Sequence, residues 1–216
     1  MAFIVIESMG TKKLDRLTVK EYVALEQESN QRYEYHDGYV VAMAGGTLIH
    51  GRLCSRSNFL LQRDLEGKGC EVLNSEVKIY LDKSESYVYP DGSAVCDKIE
   101  SSIYQVGAIT NPIIIIEVLS ENSEKYDRGQ KFHNYRRLPS FQNYILIAQD
   151  KLYVEVWYRP PGADLWRIDI YEGESANAHI QSVNINLSLK ELYDPVKEQI
   201  EALAKEEEKN KKEKSS

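Results

Sequence analysis

The sequence predicts an α/β (α+β) protein with a mixed central β-sheet flanked by helices, folded as one domain. Three observations lead there. Pro112-Ile113-Ile114-Ile115-Ile116-Glu117-Val118-Leu119 is an apolar run of the kind found in a strand buried on both faces. Helical and strand-like patterns alternate on either side of it. The chain has 216 residues, 42% apolar and 28% charged, which is enough for a substantial core without metal or disulfide staples.

Residues 1–16 read as an N-terminal extension, 17–195 as the domain and 196–216 as a charged Lys/Glu tail. Thr18 followed by Glu21 is a capping box that opens a short helix. Asp37-Gly38, between Tyr33 and Met43, signals a β-hairpin. From His50 to Leu65, Leu53, Leu60, Leu61 and Leu65 fall at helical spacing, and Gly67-Lys68-Gly69 ends the helix without a Walker A pattern. Cys70 to Leu81 and Tyr87 to Cys96 alternate as strands, joined by Asp82 to Ser86. Asn122 to Leu138 is a helix with Phe132 and Tyr135 inward and Pro139 as its stop. Strands follow at Tyr144 to Ala148, Tyr153 to Tyr158, Trp166 to Tyr171 and Val183 to Leu187, before a terminal element at Leu189 to Tyr193. From Val196 the chain reads as a frayed helix that adds no core.

Composition excludes several classes. Twenty-seven Lys and Arg against 34 Asp and Glu give a net charge of -7, so a uniformly basic nucleic-acid coat is ruled out. A local basic patch is not. The longest apolar run is too short to span a bilayer. Met1 to Gly10 lacks the basic start and cleavage site of a signal peptide, so a cytoplasmic location is expected. Cys54, Cys70 and Cys96 form no C-x-x-C pair and read as reduced apolar residues, with neither zinc nor a disulfide.

Glu117 does not fit a purely structural reading. A lone carboxylate after four isoleucines costs several kcal/mol unless it is paired, solvated or metal-bound at a strand end. Tyr89-Pro90-Asp91-Gly92 supplies a second acid, beside a proline that breaks its strand. Two carboxylates at the ends of adjacent strands make a hard-oxygen site suited to Mg²⁺ or Mn²⁺. The plainer alternative has Asp91 capping a turn and Glu117 paired with an arginine.

Asn111 to Ser120 leads into Tyr126-Asp127-Arg128-Gly129-Gln130-Lys131 and Tyr135, with Tyr33-Glu34, Asp37-Gly38, His50 and Tyr89-Pro90-Asp91 upstream. From about Leu17 to Tyr158 this pattern resembles the Uma2 family of restriction-endonuclease domains. The resemblance implies a restriction-endonuclease-like core of the PD-(D/E)XK kind and a metal-dependent endonuclease that hydrolyses phosphodiester bonds in DNA. It implies Asp91 and Glu117 as metal ligands for Mg²⁺ or Mn²⁺, together with the backbone carbonyl of Val118. The usual lysine stands two residues after the acid, where this chain has Leu119; Lys131 holds the corresponding basic position on the next helix. Glu34 matches an upstream accessory acid. Catalysis is thereby assigned to Asp91, Glu117, Lys131 and Glu34. Nucleases of this superfamily commonly pair two sites, so a homodimer without membrane attachment is expected.

Between Lys125 and Arg137 stand five basic residues (Lys125, Arg128, Lys131, Arg136, Arg137) and one acid, Asp127. Lys125, Arg128, Arg136 and His50 are therefore candidate contacts to a phosphate backbone. Plainer readings coexist: Arg128 pairs with Glu124 at i,i+4, Lys131 is solvated and His50 is structural. Tyr33, Tyr35, Tyr39, Tyr87 and Tyr89 either pack strands or stack on bases. The rival to a nuclease is a catalytically inactive module of the same fold, used for nucleic-acid binding or assembly.

Overall fold

Thr18 opens the first helix as expected: its N–H donates to the Glu21 carboxylate at 2.8 Å while its hydroxyl accepts the Glu21 N–H. The computed structural model describes residues 16–29, 31–43, 45–103 and 107–214, so most of the N-terminal extension lies outside the described residues. α1 (Val19–Glu28) precedes the hairpin of β1 (Tyr33–His36) and β2 (Tyr39–Ala42). Asp37 and Gly38 take φ of 43° and 94°, the left-handed turn that matches hairpin twist. Next come α2 (Leu48–Leu65), β3 (Glu71–Asn74), β4 (Lys78–Leu81), β5 (Ser86–Val88), β6 (Gly92–Val95), β7 (Ala108–Ile109) and β8 (Ile114–Val118). One helical segment follows, made of α3 (Glu124–Tyr126), a π-helical turn (Asp127–Lys131) and α4 (Phe132–Tyr135). The remainder is β9 (Asn143–Ile147), β10 (Tyr153–Tyr158), β11 (Arg167–Glu172), β12 (Asn177–Ile180), β13 (Ile185–Ser188), α5 (Leu189–Tyr193) and α6 (Lys197–Lys214).

The mixed sheet runs β11-β10-β9-β8-β6-β3, with β8 parallel to β9 and antiparallel to β6. A second mixed sheet runs β2-β1-β5-β4-β7, and β12 pairs with β13 separately. The expected Cys70–Leu81 and Tyr87–Cys96 strands are each split between the two large sheets. Pro90 marks the second crossing. It has no N–H to give a ladder, so β5 ends in one sheet and β6 begins in the other.

β8 is buried on both faces. Ile114, Ile116 and Val118 pack with Leu53, Leu60 and Leu61 of α2, whereas Ile115 and Leu119 join Phe132, Tyr135 and Tyr144 on the opposite side. α1 covers the second sheet through Tyr22 and Leu25, among Tyr33, Tyr35, Tyr80 and Tyr87. Lys78 and Glu26 form an ion pair beside these rings. Tyr33, Tyr35, Tyr87 and Tyr89 are buried packing residues, and Tyr39 alone of the five singled out is exposed.

Two expectations are corrected. Cys70 and Cys96 form a disulfide, and Cys54 is the free thiol. They flank the paired Glu71 and Val95, so the β3–β6 register joins them, and no sequence spacing reports that. The start of the charged tail also adds to the core: Val196 and Ile200 are 1% and 4% exposed. One apolar pair at i,i+4 is enough to dock the first turn of α6. Among the described residues no helix is long and apolar enough to cross a membrane.

Replacing Ile200 by alanine is expected to cost about 2–4 kcal/mol, as a buried large-to-small change. Leu203→Ala, at an exposed position of the same helix, should stay within about 0.5 kcal/mol. Urea denaturation of the two variants compares them.

Candidate active site

Asp91 ends the crossover between the sheets, directly before Gly92, which pairs with Ile116. Its N–H donates to the Ile116 carbonyl at 3.1 Å, and its Oδ2 accepts the Val118 N–H at 2.8 Å. That places one acid beside the strand carrying the other. Its Oδ1 lies 3.1 Å from His50 Nε2, reaching over from α2. Burial pushes the Asp91 carboxyl up, but His50, Lys131 and the Val118 N–H outweigh it and hold the group below its usual range. The hydrogen bond to Asp91 raises His50 in turn.

Glu117 follows the face alternation of β8 and points with Ile115 and Leu119 toward the helical segment. It is 3% exposed. Lys131 Nζ stands 2.8 Å from Glu117 Oε1, and the Tyr135 hydroxyl donates to that oxygen at 3.1 Å. Burial pushes the Glu117 carboxyl well above its usual value; Asp127 and Asp91 add repulsion, and Lys131 opposes it. Lys131 is buried too. Burial alone would lower it, but Glu117, Glu34 and Asp127 raise it well above the ordinary lysine value, so it remains an ammonium. Its Nζ also donates to the Tyr89 carbonyl at 3.2 Å and lies 3.6 Å from Asp127 and 3.8 Å from Glu34.

Glu34, on β1, completes the cluster from the second sheet. Oε1 accepts the Tyr89 N–H at 3.0 Å, and Oε2 meets His36 Nε2 and the Tyr126 hydroxyl, each at 3.2 Å. Burial would raise this carboxyl, yet Lys131, His36 and the Tyr89 N–H hold it below its normal range. Glu34, Glu117 and Lys131 are thus joined in one polar network, and Asp91 lies within electrostatic reach of Lys131 and Glu117. His36, Asp127, Tyr126 and Tyr135 belong to it as well and had no assigned role. Tyr126-Asp127 sits in the resemblance motif, but only the i,i+4 spacing of Asp127 to Lys131 hinted at its part.

The basic residues divide differently from the sequence reading. Lys131 is spent on the acids. Arg128 pairs with Glu124 at 2.7 Å and with Glu155 of β10 at 2.6 Å. The acids that the Lys125–Arg137 segment lacks are supplied by neighbouring strands. Lys125, Arg136 and Arg137 remain exposed. A cavity of about 450 Å³ opens beside the network, lined in part by His36, Lys83, Tyr126, His133 and Arg137. His50 is engaged with Asp91, where a contact to nucleic acid was expected. Among the described residues, His50, Cys54 and Asp91 form the group of donors close enough together to hold one metal ion.

This fold is shared with a solved structure titled as a "putative nuclease belonging to DUF820" from Anabaena variabilis. The two share a TM-score of 0.64 and 19% identity, over 82% of this chain and 98% of that one. The chain belongs to the Uma2 family, described as "Putative restriction endonuclease", whose family model matches residues 19–190. It is 32% identical to "Uncharacterized protein slr1290" of Synechocystis, over 82% of this chain and 92% of that protein. A second Synechocystis relative, "Uncharacterized protein sll1609", is 31% identical over 78% of this chain and 95% of that protein.

Lys131→Met is expected to destabilise the protein by about 3–5 kcal/mol, because it strands buried acids without their cation. Adding Glu117→Gln should restore part of that loss, which denaturant titration of single and double variants measures. Glu155 gives a pH prediction. Burial would raise it, but Arg128, Trp157 and Tyr153 hold it below its ordinary value of 4.5. Its stabilisation is therefore present above that value and lost as pH falls through the depressed one. Glu155→Gln should cost about 1–3 kcal/mol near neutrality. The gap to wild type should shrink in acid, as thermal melts across pH would record.

Proposed function

We propose that this protein is a divalent-metal-dependent endonuclease of the PD-(D/E)XK kind that hydrolyses phosphodiester bonds in DNA. The observation that carries the reading is that Asp91 bonds the Val118 N–H, next to Glu117 on β8, while Lys131 lies 2.8 Å from Glu117. The donor set suits a hard cation: Asp91 and Glu117 supply carboxylates, and Val118, next to Glu117, offers a backbone carbonyl. These three would hold Mg²⁺ or Mn²⁺. When bound, the ion polarises the phosphate and acidifies a water.

The remaining residues have definable tasks. Lys131 carries a fixed positive charge beside the acids, suited to orienting water and balancing charge that develops on phosphorus. Glu34 is a positioning residue: it grips the Tyr89 N–H and faces the Lys131 ammonium, tying the second sheet to the site. Exposed Lys125, Arg136 and Arg137 are the groups available to DNA phosphates. A second copy would bring a site to the other strand, so the working form is read as a cytoplasmic homodimer.

Supercoiled plasmid should be nicked with Mg²⁺ or Mn²⁺ and left intact with EDTA. Asp91→Ala and Glu117→Ala should each slow nicking by at least about 100-fold. Wild type cutting no faster than Asp91→Ala, with metal present, would overturn the reading. DNA bound under those conditions without cleavage would favour the inactive binding module.

A further inference from the structure

We infer that His50 and Cys54 join Asp91 as ligands, so that this end of the site takes a borderline transition ion of the Zn²⁺ or Co²⁺ class. The inference rests on the reading above only in taking Asp91 as a ligand; it concerns which ion the chain selects. Its basis is placement. His50 and Cys54 stand one turn apart on α2, so both project from the same face. One donor atom each from His50, Cys54 and Asp91 lie within 4.8 Å of one another. A tetrahedral ion with bonds of about 2.0–2.3 Å needs its ligands roughly 3.3–3.8 Å apart, which small side-chain rotations reach from here.

Several contacts hold this trio in place. Asn58, one turn beyond Cys54, donates to the Cys54 carbonyl and the Asp91 carbonyl, each at 2.9 Å, and so clamps the Asp91 crossover onto α2. Gly92 permits that approach, since a Cβ there would run into the Asn58 side chain. His50 Nε2 lies 3.1 Å from Asp91 Oδ1, and the other oxygen of that carboxylate accepts the Val118 N–H, so imidazole, carboxylate and main chain converge on one spot. The other ring nitrogen, Nδ1, is buried without a partner among the described residues, so the ring is held mainly from the side facing Asp91. Cys54 is outside the disulfide, and its Sγ lies within 4.8 Å of the Asp91 carboxylate.

Donor chemistry then decides the ion. Mg²⁺ prefers oxygen and gains little from imidazole or sulfur, whereas thiolate and imidazole raise affinity for Co²⁺ and Zn²⁺. The thiol must lose its proton on binding, so uptake of such an ion should release protons.

Titrating the intact protein with Co²⁺ tests this independently of nicking. One equivalent should bring up a near-ultraviolet thiolate-to-cobalt charge-transfer band, absent in Cys54→Ser. Calorimetry should show Cys54→Ser lowering the preference for Co²⁺ over Mg²⁺ by about tenfold or more, and His50→Gln weakening Co²⁺ by about 10- to 100-fold. Circular dichroism and denaturation midpoints of both variants establish that they fold. A Co²⁺ complex without the thiolate band, or the same band and affinity in Cys54→Ser, overturns the inference. Plasmid nicking by a protein that fails this test would leave the nuclease reading standing. A thiolate-bound Co²⁺ in a protein that leaves plasmid intact, whichever divalent ion is supplied, would sink the nuclease reading alone.

Discussion

Lys131 Nζ lies within 4 Å of three carboxylates from separate parts of the chain: Glu117 on β8, Glu34 on β1 and Asp127 one turn earlier on its own segment. All four residues are less than a tenth exposed. Three acids in so small a buried space would repel one another and be driven toward their neutral forms. The ammonium relieves that repulsion and fixes the distance between the two large sheets. Its bond to the Tyr89 carbonyl reaches the same crossover that ends in Asp91. Sheet packing and site geometry are therefore one problem, with one cation at its centre.

The backbone meets that demand at two irregular points. Pro90 lets β5 and β6 belong to different sheets, and Asp91 emerges at the crossover with its Oδ2 on the Val118 N–H. On the other side, the π-helical turn at Asp127–Lys131 interrupts the helix between Tyr126 and Phe132. Such turns are uncommon and gather at functional sites because they shift side chains out of regular helical register. Here the wider turn turns both Asp127 and Lys131 inward while Phe132 and Tyr135 still pack on Tyr144. A regular ladder or helix at either point would give more uniform hydrogen bonding, and the charged groups would be spread differently.

Features governed by local rules were legible in the sequence. The Thr18–Glu21 cap, the Asp37-Gly38 turn, the α2 leucines and the doubly buried β8 each follow from neighbours a few residues apart. Asp91 and Glu117 stood out because each breaks the apolar pattern around it. What stayed hidden depends on tertiary pairing. The Cys70–Cys96 bond needs the β3–β6 register, Arg128 is neutralised by Glu155 from 27 residues away, and β7 and β12 are too short or too polar to show a period. Asp127 and Tyr126 were seen only as letters in a motif, since their burial comes from sheets that the local sequence does not contain.

Leu119 shows how these levels join. By strand alternation it shares the face of Glu117, the geometry that would let a lysine there reach the acid directly. In this chain the position is 5% exposed and packs with Phe132, Tyr135 and Tyr144. A lysine at 119 would bury its charge against that aromatic cluster. Lys131 avoids the conflict by entering from the helix, with its stem running inside the protein and its Nζ on Glu117. Leu119 and Lys131 are therefore complementary. The strand position completes the core, and the helix position supplies the charge that makes a buried Glu117 tolerable.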